Sequence, residues 1–537
     1  MRARLSRVDA RGLLDRGWPC PTASEMGRID RFAIEHLGLP GRLLMENAGR
    51  SVAYAIRCRY PRVRRPLVVC GAGNNGGDGF VIARVLRDWD RRLRPVVAAL
   101  GDPERRSAEA RENFDLLAGC EIECVEVKVA EDVDRLLDTS DLVVDAVFGV
   151  GLARPVEGLY ADVLSAMARA HAPRVAVDVP STFSSDTGES LGPDIAPELI
   201  VTLGLPKLGL AVRPLDSEIV VADIGLPAVA RLPVAPQQHV LTPGAARARL
   251  PRRPADGHKG SFGHVLIVAG STGKTGAAAL AATGAIRAGA GLVTVAVPAS
   301  LNPVLEVKLT EAMTLPLSEA VAGALGEGAA EVLLSESSSR DAVVVGPGLG
   351  TDPGTVRALE RVLGALERPA VVDADALNAF AGRPEALRGP GARVLTPHPG
   401  EMARLLGTRI AEVQRDRVGA ARRLAAASSA VVVHKGARSV IAGPDAQVLV
   451  NLTGGPGLGT GGTGDVLAGV IGALLGQGLS PLDAAALGTY LHGLAGDLAP
   501  AAGGSAGDVA ERLPEALGRL AQLDEATDDL GLVRHFP

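Results

Sequence analysis

The sequence predicts an α/β protein built as two three-layer α/β/α domains. Three observations predict it. At 537 residues the chain is too long for one hydrophobic core. Short β-branched runs alternate with stretches of helical periodicity, the pattern of parallel strands joined by crossover helices. That rhythm breaks once, at 228–257, where "RLPVAPQQ" and "RLPRRPADG" concentrate proline and arginine, and then restarts.

In the first half "PLVVC" (66–70), "RPVVAAL" (94–100), "DLVVDAVFG" (141–149), "RVAVDVPS" (174–181), "LIVTLG" (199–204) and "EIVVADIG" (218–225) read as buried strands. Helical patterns at 79–89, 104–118 and 157–170 separate them. In the second half "HVLIVAG" (264–270), "LVTVAVP" (292–298), "DAVVVGPG" (341–348), "PAVVDAD" (369–375), "ARVLTPHPG" (392–400) and "AVVVHKG" (430–436) are the strand candidates. Each ends in a loop with glycine, proline or an acid, and the catalytic end of such a sheet lies at the strand C-termini. Helices at 481–499 and 506–522 are expected to pack on the outside. The boundaries expected are a flexible extension over 1–20, domains over 21–235 and 236–523, and a frayed tail over 524–537.

Composition narrows the function. Hydrophobic residues make up 47% of the chain, yet no apolar run reaches the ~18–20 residues that span a bilayer. The basic start lacks the apolar core of a signal peptide. A soluble, cytoplasmic homo-oligomer acting on small molecules is expected, with no membrane partner. A net charge of −5 argues against nucleic acid as a partner. Five cysteines at irregular spacing, all in the first quarter, argue for free thiols over a disulfide framework or a metal site. Six lysines stand against fifty arginines, and four of the six (Lys207, Lys259, Lys274, Lys435) lie beside glycines in loops. A compact ammonium suits such places where a guanidinium does not fit.

Two glycine loops carry the chemistry. "CGAGNNGGDG" (70–79) follows a strand and opens a helix, with the spacing Gly71-x-Gly73-x-x-Gly76. A tight turn would explain the glycines alone. Asn74, Asn75 and Asp78 add amide and carboxylate groups beside exposed backbone, which favours a ligand loop. "GTGGTGD" (459–465) precedes an apolar helical run. Asp465 there is either a helix cap or a proton acceptor beside a phosphate held by the helix start. "GSTGKTG" (270–276) lacks the G-x-x-x-x-G-K-[ST] spacing of a P-loop.

The first loop, with "LMENAGR" (44–50), "DAVFGVGLARPVEG" (145–158), "VDVPSTFSSDTG" (177–188), "TLGLPKLGL" (202–210) and "DIGLP" (223–227), resembles the YjeF N-terminal family over roughly 20–230. Those proteins are NAD(P)H-hydrate epimerases with a Rossmann-like fold. The resemblance implies substrate contacts at Asn74, Asn75, Gly76, Gly77 and Asp78, and at Gly149, Val150, Gly151, Leu152, Ala153, Arg154 and Pro155. It implies Asp178 as the substrate-binding acid/base, and a potassium site at Asn75, Asp145 and Ser181, all hard oxygen ligands. One stretch departs from the family pattern: Thr182 stands where glycine is usual and Ser184 where an aspartate is usual. Threonine adopts a positive φ with difficulty, so strain is expected at Thr182 and a weakened epimerase is a possible outcome.

The second half, through "HKGSFGHVLIVAGSTGKTGAAALAA", "VVVGPGLG", "VVDADALN", "LTPHPGEMARLLG", "VVHKG" and "GGPGLGTGGTGDVLAGVI", resembles the ADP/ATP-dependent NAD(P)H-hydrate dehydratases, which have a ribokinase-like fold. The match covers about 257–480. It implies that Asp465 takes the proton of the C6 hydroxyl of the S hydrate, with Ala277, Gly348 and His398 in the hydrate pocket. Nucleotide contacts carry over to His434, Lys435, Gly436, Ala437 and Arg438, and to Gly455, Gly457, Gly459, Thr460, Gly461, Gly462, Thr463 and Gly464. Lys435 is expected near phosphate or ribose. ADP with Mg2+ is the expected donor and K+ the expected epimerase ion. The expected function is two-step repair of hydrated NADH and NADPH. The alternatives are a small-molecule kinase with a ligand-binding first domain, and a scaffold without activity.

Overall fold

The computed structural model describes residues 17–523 and 533–535. The chain divides between Gln238 and His239 into two compact units, inside the proline- and arginine-rich stretch. Trp18–Pro19 form a short strand, and Cys20 is fully buried with its N–H donating to the Gln238 carbonyl at 2.9 Å. The first unit therefore starts before residue 21; residues 1–16 of the expected extension lie outside the described residues.

The first unit holds a sheet in the order Val533–His535, Glu218–Ala222, Leu199–Leu203, Arg174–Val177, Leu142–Ala146, Pro66–Cys70, Val96–Ala99, Glu123–Glu126. All neighbours are parallel except Val533–His535, which pairs antiparallel with Glu218–Ala222. The expected frayed tail is thus corrected at 533–535, where backbone pairing covers the edge of the sheet. Residues 524–532 and 536–537 lie outside the described residues. Strand order reverses between Pro66–Cys70 and Leu142–Ala146, so a crevice opens beyond their C-terminal ends. Into it run the loops after Cys70 and Ala146. Both strands are buried at every position, which is why they read as continuous apolar runs.

Glu123–Glu126 is an edge strand whose residues are mostly exposed, so no apolar run marked it. The helix expected at 79–89 starts five residues earlier, as Asn74–Trp89. Gly76 permits this: a Cβ there would stand 1.8 Å from the Gly71 carbonyl oxygen. Helices Ala23–Glu35 and Gly41–Arg59 precede the sheet, the first capped reciprocally by Thr22 and Glu25.

In the second unit the sheet runs Gln238–Leu241, Val448–Asn451, Val440–Ala442, Val431–His434, Arg393–Leu395, Ala370–Val372, Ala342–Val345, His264–Val268, Leu292–Pro298, Met313–Leu317. From Val431–His434 onward the neighbours are parallel. Val440–Ala442 pairs antiparallel on both sides, joined by loops too short for crossover helices. Helix Thr463–Gly476 packs on helix Thr275–Arg287 through glycines: a Cβ at Gly469 would meet the Ala281 carbonyl oxygen at 2.0 Å. Helix Pro481–Leu498 is buried almost all round from Ala484 to Gly493. It belongs to the core, against the expectation of an outer position; Ala506–Ala521 buries one face only.

Candidate active sites

The crevice of the first unit is a cavity of about 820 Å³. Asn74, Asn75 and Asp78 line it from the start of helix Asn74–Trp89, and residues 149–154 line it from the loop after Ala146. Gly76, Gly77 and Pro155 do not line it. Gly76 serves the tight turn on Gly71, and Gly77 serves helix packing, a Cβ there meeting the Met45 methyl at 2.5 Å. Asp178 stands at the end of Arg174–Val177 with φ +69°, a conformation an aspartate tolerates better than most side chains. Its Oδ1 accepts from the Leu203 N–H at 3.0 Å and from the Lys207 ammonium. Lys207 is 1% exposed, and its Nζ also donates to the Leu203 carbonyl at 2.7 Å and the Thr202 hydroxyl at 3.3 Å.

Lys207 is missing from the residues that the family pattern assigned, although the scarcity of lysine pointed to it. Two further carboxyls share its field. Burial pushes Asp78 well above the usual range, with Asp178 adding to it. Burial raises Asp30 to about 6, and its Oδ1 is buried without a hydrogen-bond partner. Asp30 lines the cavity from helix Ala23–Glu35.

Asp145 is fully buried at the end of Leu142–Ala146. Its Oδ2 accepts from the Ser181 N–H at 2.8 Å, and its Oδ1 from the Ser181 hydroxyl and the Val147 N–H at 3.3 Å. Burial raises the carboxyl to about 6 despite those bonds. Among the described residues no cationic side chain pairs with it; Asn75, at the start of helix Asn74–Trp89, buries an unpartnered Nδ2.

Thr182 is buried with a negative φ; its carbonyl accepts from Leu191 N–H at 2.6 Å. The expected strain at Thr182 is absent. The Ser184 hydroxyl accepts from the Thr187 N–H at 3.2 Å and closes a local turn. Neither side chain lines the cavity. Thr182→Gly with Ser184→Asp is therefore expected to leave R-hydrate consumption within about twofold of the parent, since no substrate-facing group changes. A large gain in R-hydrate consumption would show the natural loop to be damaged.

In the second unit Asp465 lies in the first turn of Thr463–Gly476, after Gly462 with φ +98°. Burial, with Asp373 nearby, raises its carboxyl to about 6 against the opposing pull of Lys435. The Lys435 ammonium is 2.8 Å from Asp373 Oδ1 and 3.9 Å from Glu401 Oε2. A Cβ at Gly464 would be 3.3 Å from it. Burial opposes the lysine's charge, but Asp373 and Glu401 offset this and raise its pKa. Lys435 thus faces the helix mouth from a bed of carboxylates. Ala277 and Gly348 meet: a Cβ at Gly348 would stand 2.9 Å from the Ala277 methyl.

His398 caps helix Pro399–Leu406, its Nδ1 accepting from the Gly400 N–H at 3.0 Å. Burial and Lys435 lower its pKa, so the ring is neutral at physiological pH, with Nε2 3.4 Å from Glu401 Oε1. His434 is fully buried, pushed down to about 3 by burial, and cannot meet a nucleotide without a rearrangement. Lys435, Gly436, Ala437 and Arg438 remain accessible. The Arg417 guanidinium braces this loop through the Ala437 carbonyl, a role that nothing local in the sequence marks. In the loop before Asp465, Thr463 is held by its hydroxyl, which donates to the carbonyls of Leu458 at 2.9 Å and Thr460 at 3.0 Å. Gly455, Gly459 and Gly461 in this loop are exposed, and Gly457, Gly462 and Gly464 partly so.

The five cysteines are free, and among the described residues no three His, Cys, Asp or Glu side chains gather as a metal centre. Nor is any described helix long and apolar enough to cross a membrane.

Residues 41–209 match the family described as YjeF-related protein N-terminus, and residues 265–519 the family described as NAD(P)H-hydrate dehydratase. A relative from Moorella thermoacetica, named bifunctional NAD(P)H-hydrate repair enzyme Nnr, is 46% identical over 527 residues, 96% of this chain and 99% of its own. The relative of that name from Escherichia coli K12 is 36% identical over 512 residues, 94% of each. Among solved structures, the ADP/ATP-dependent NAD(P)H-hydrate dehydratase from Bacillus subtilis, co-crystallised with ATP/Mg2+, is 32% identical. That comparison covers 52% of this chain and 98% of the other, with a TM-score of 0.46. With both domains matched in order and the full-length relatives covered almost end to end, the chain belongs to the family of bifunctional NAD(P)H-hydrate repair enzymes.

Proposed function

We propose that the first unit epimerises the R hydrate of NADH or NADPH to the S form, and that the second dehydrates the S form at the expense of ADP. In the second unit Asp465 accepts the proton of the C6 hydroxyl. The hydroxyl oxygen then takes the terminal phosphoryl group of Mg·ADP, leaving AMP. Backbone N–H groups of Gly461, Gly462, Thr463 and Gly464 stabilise the transferring charge, being helix-start donors without partners inside the helix. The ring nitrogen's lone pair expels phosphate and restores the reduced nicotinamide. The observation that carries this reading is the carboxyl of Asp465 in the first turn of Thr463–Gly476, with the Lys435 ammonium beside Gly464.

In the first unit Asp178 assists opening or dehydration of the C6 carbinolamine, which lets the centre close on either face. Lys207 holds that carboxylate at Oδ1, and Asp178 lines the cavity. The buried charge of Asp145, without a cationic side chain, fits a potassium ion held by Asn75, Asp145 and Ser181. When bound, the ion would neutralise that carboxylate and order the loop after Ala146.

The test is incubation of the protein with hydrated NADH and each nucleotide, following absorbance of the reduced nicotinamide. Recovery with ADP supports repair. Accumulation of a phosphorylated product without the chromophore would favour the kinase reading, which the family membership does not favour.

Asp465 acts as a base only when ionised, and its carboxyl titrates at about 6. Dehydratase kcat should therefore rise through about pH 6 and level off above it. In Lys435→Ala the opposing pull is lost, so the rise should move to higher pH, with nucleotide use weakened more than hydrate binding. An unmoved profile and an unchanged KM for ADP would remove Lys435 from the site.

A further inference from the structure

Lys274 is one of the four lysines set beside glycines in loops, and it has no part in the dehydration as proposed. Yet it borders the residues implied for the hydrate pocket. A Cβ at Gly348 would stand 3.0 Å from the Lys274 Cβ and from its carbonyl oxygen, and 2.9 Å from the Ala277 methyl. The Lys274 ammonium is 2.9 Å from Asp375 Oδ2, which also accepts from the Gly350 N–H at 2.8 Å. Asp375 Oδ1 accepts from Asn378 Nδ2 at 3.5 Å, and Asn378 Oδ1 accepts from Arg404 Nε at 2.9 Å. Arg404 lies in the helix that His398 caps, with Nη1 3.6 Å from the place of a Cβ at Gly400. Lys274, Gly350, Asp375 and Arg404 thus follow four neighbouring strands of the sheet: His264–Val268, Ala342–Val345, Ala370–Val372 and Arg393–Leu395. The network lies at the end of the sheet where ligands collect.

Its charges do not cancel. Two cations share one carboxylate. Burial opposes ionisation of Asp375, but the Lys274 ammonium and the Gly350 N–H outweigh it and hold the carboxyl below its usual range. Asp375 is therefore a fixed anionic anchor, and it leaves donors over. The Lys274 side chain is 51% exposed, and its ammonium, with three donors, makes one hydrogen bond among the described residues. Arg404 is exposed, and among the described residues Nε alone of its guanidinium nitrogens has a hydrogen-bond partner. Ion pairs this open to water stabilise a fold little. A tethered ammonium and a guanidinium fork with spare N–H groups suit a phosphate instead. The hydrated dinucleotide brings a pyrophosphate, and in its NADPH form a 2′-phosphate as well.

We propose that Lys274 and Arg404 bind a phosphate group of the hydrated dinucleotide in the second unit, with Asp375 and Asn378 holding the two cations in place. The inference rests on the dehydratase reading above. A phosphate remote from C6 is held alike in the ground state and the transition state, so the effect falls on KM rather than kcat.

Lys274→Gln and Arg404→Gln are each expected to raise KM for the S hydrate ~10-fold, the usual scale for losing a charged hydrogen bond. Values of kcat and of KM for ADP should stay within about twofold, and Tm should not move, since both side chains are open to water. A rise shared by the hydrates of NADH and NADPH assigns the pyrophosphate; one confined to the NADPH hydrate assigns the 2′-phosphate. Unchanged KM for both hydrates in both variants would overturn the proposal. So would a rise in KM for ADP equal to that for the hydrate, or a fall in Tm that moves kcat and both KM values together. A parent enzyme unable to regenerate the chromophore with any nucleotide would instead overturn the dehydratase reading, and this inference with it.

Discussion

Asp465→Asn is expected to leave both units folded and to slow dehydration of the S hydrate by ~10²–10⁴-fold, the usual cost of losing a general base. The amide keeps the shape and polarity of the side chain at the helix mouth but cannot accept the hydroxyl proton. Folding should not suffer. The carboxyl is raised to about 6 by burial and by Asp373, Asp375 and Glu401, so above that pH its ionised form costs stability in the folded state. Removing it at pH 8 should leave Tm unchanged or higher. Nucleotide binding, measured calorimetrically with ADP, should persist because the backbone donors are untouched. Near-normal turnover in this variant would exclude Asp465 from the mechanism.

Lys207→Met is expected to give the largest loss of stability among single changes in the first unit. The ammonium is 1% exposed and bonded to Asp178, Thr202 and Leu203. Methionine fills much of the same volume but leaves the Asp178 carboxylate buried without its cation. Breaking a buried pair from one side costs about 3–5 kcal/mol. Asp30 and Asp78 lose the same opposing charge, so their carboxyls should titrate higher still. Both tryptophans, Trp18 and Trp89, lie in the first unit, so urea unfolding followed by tryptophan fluorescence reads this loss directly. R-hydrate consumption should fall to the spontaneous rate while S-hydrate dehydration continues. The double variant Asp178→Asn with Lys207→Met should recover part of the stability and none of the epimerisation, because no orphaned charge remains. An unchanged unfolding midpoint in Lys207→Met would refute the buried pair as a structural element.

What the sequence by itself determined was local in character. Runs such as "PLVVC" and "HVLIV" announce strands because burial on both faces demands unbroken apolar residues. The loops after them announce sites because glycines, amides and a carboxylate cluster within ten residues. Elements with half-exposed or very short strands, Glu123–Glu126 and Val440–Ala442, left no such trace. Helix Ala23–Glu35 did leave one, the Thr22 and Glu25 capping pair, which the strand rhythm overshadowed.

Tertiary structure decided which charges meet. Asp178 and Lys207 lie 29 residues apart; Asp373 and Lys435 follow two different strands, and Glu401 lies in helix Pro399–Leu406. Residue types alone marked Thr182 as a strained position, whereas the positive φ falls on Asp178, four residues earlier. Pairing, burial and backbone angle depend on distances through space, and a carboxyl's proton affinity follows from them: Asp145 and Asp465 both rise to about 6 because folding removes water from them, a consequence that no spacing along the chain contains.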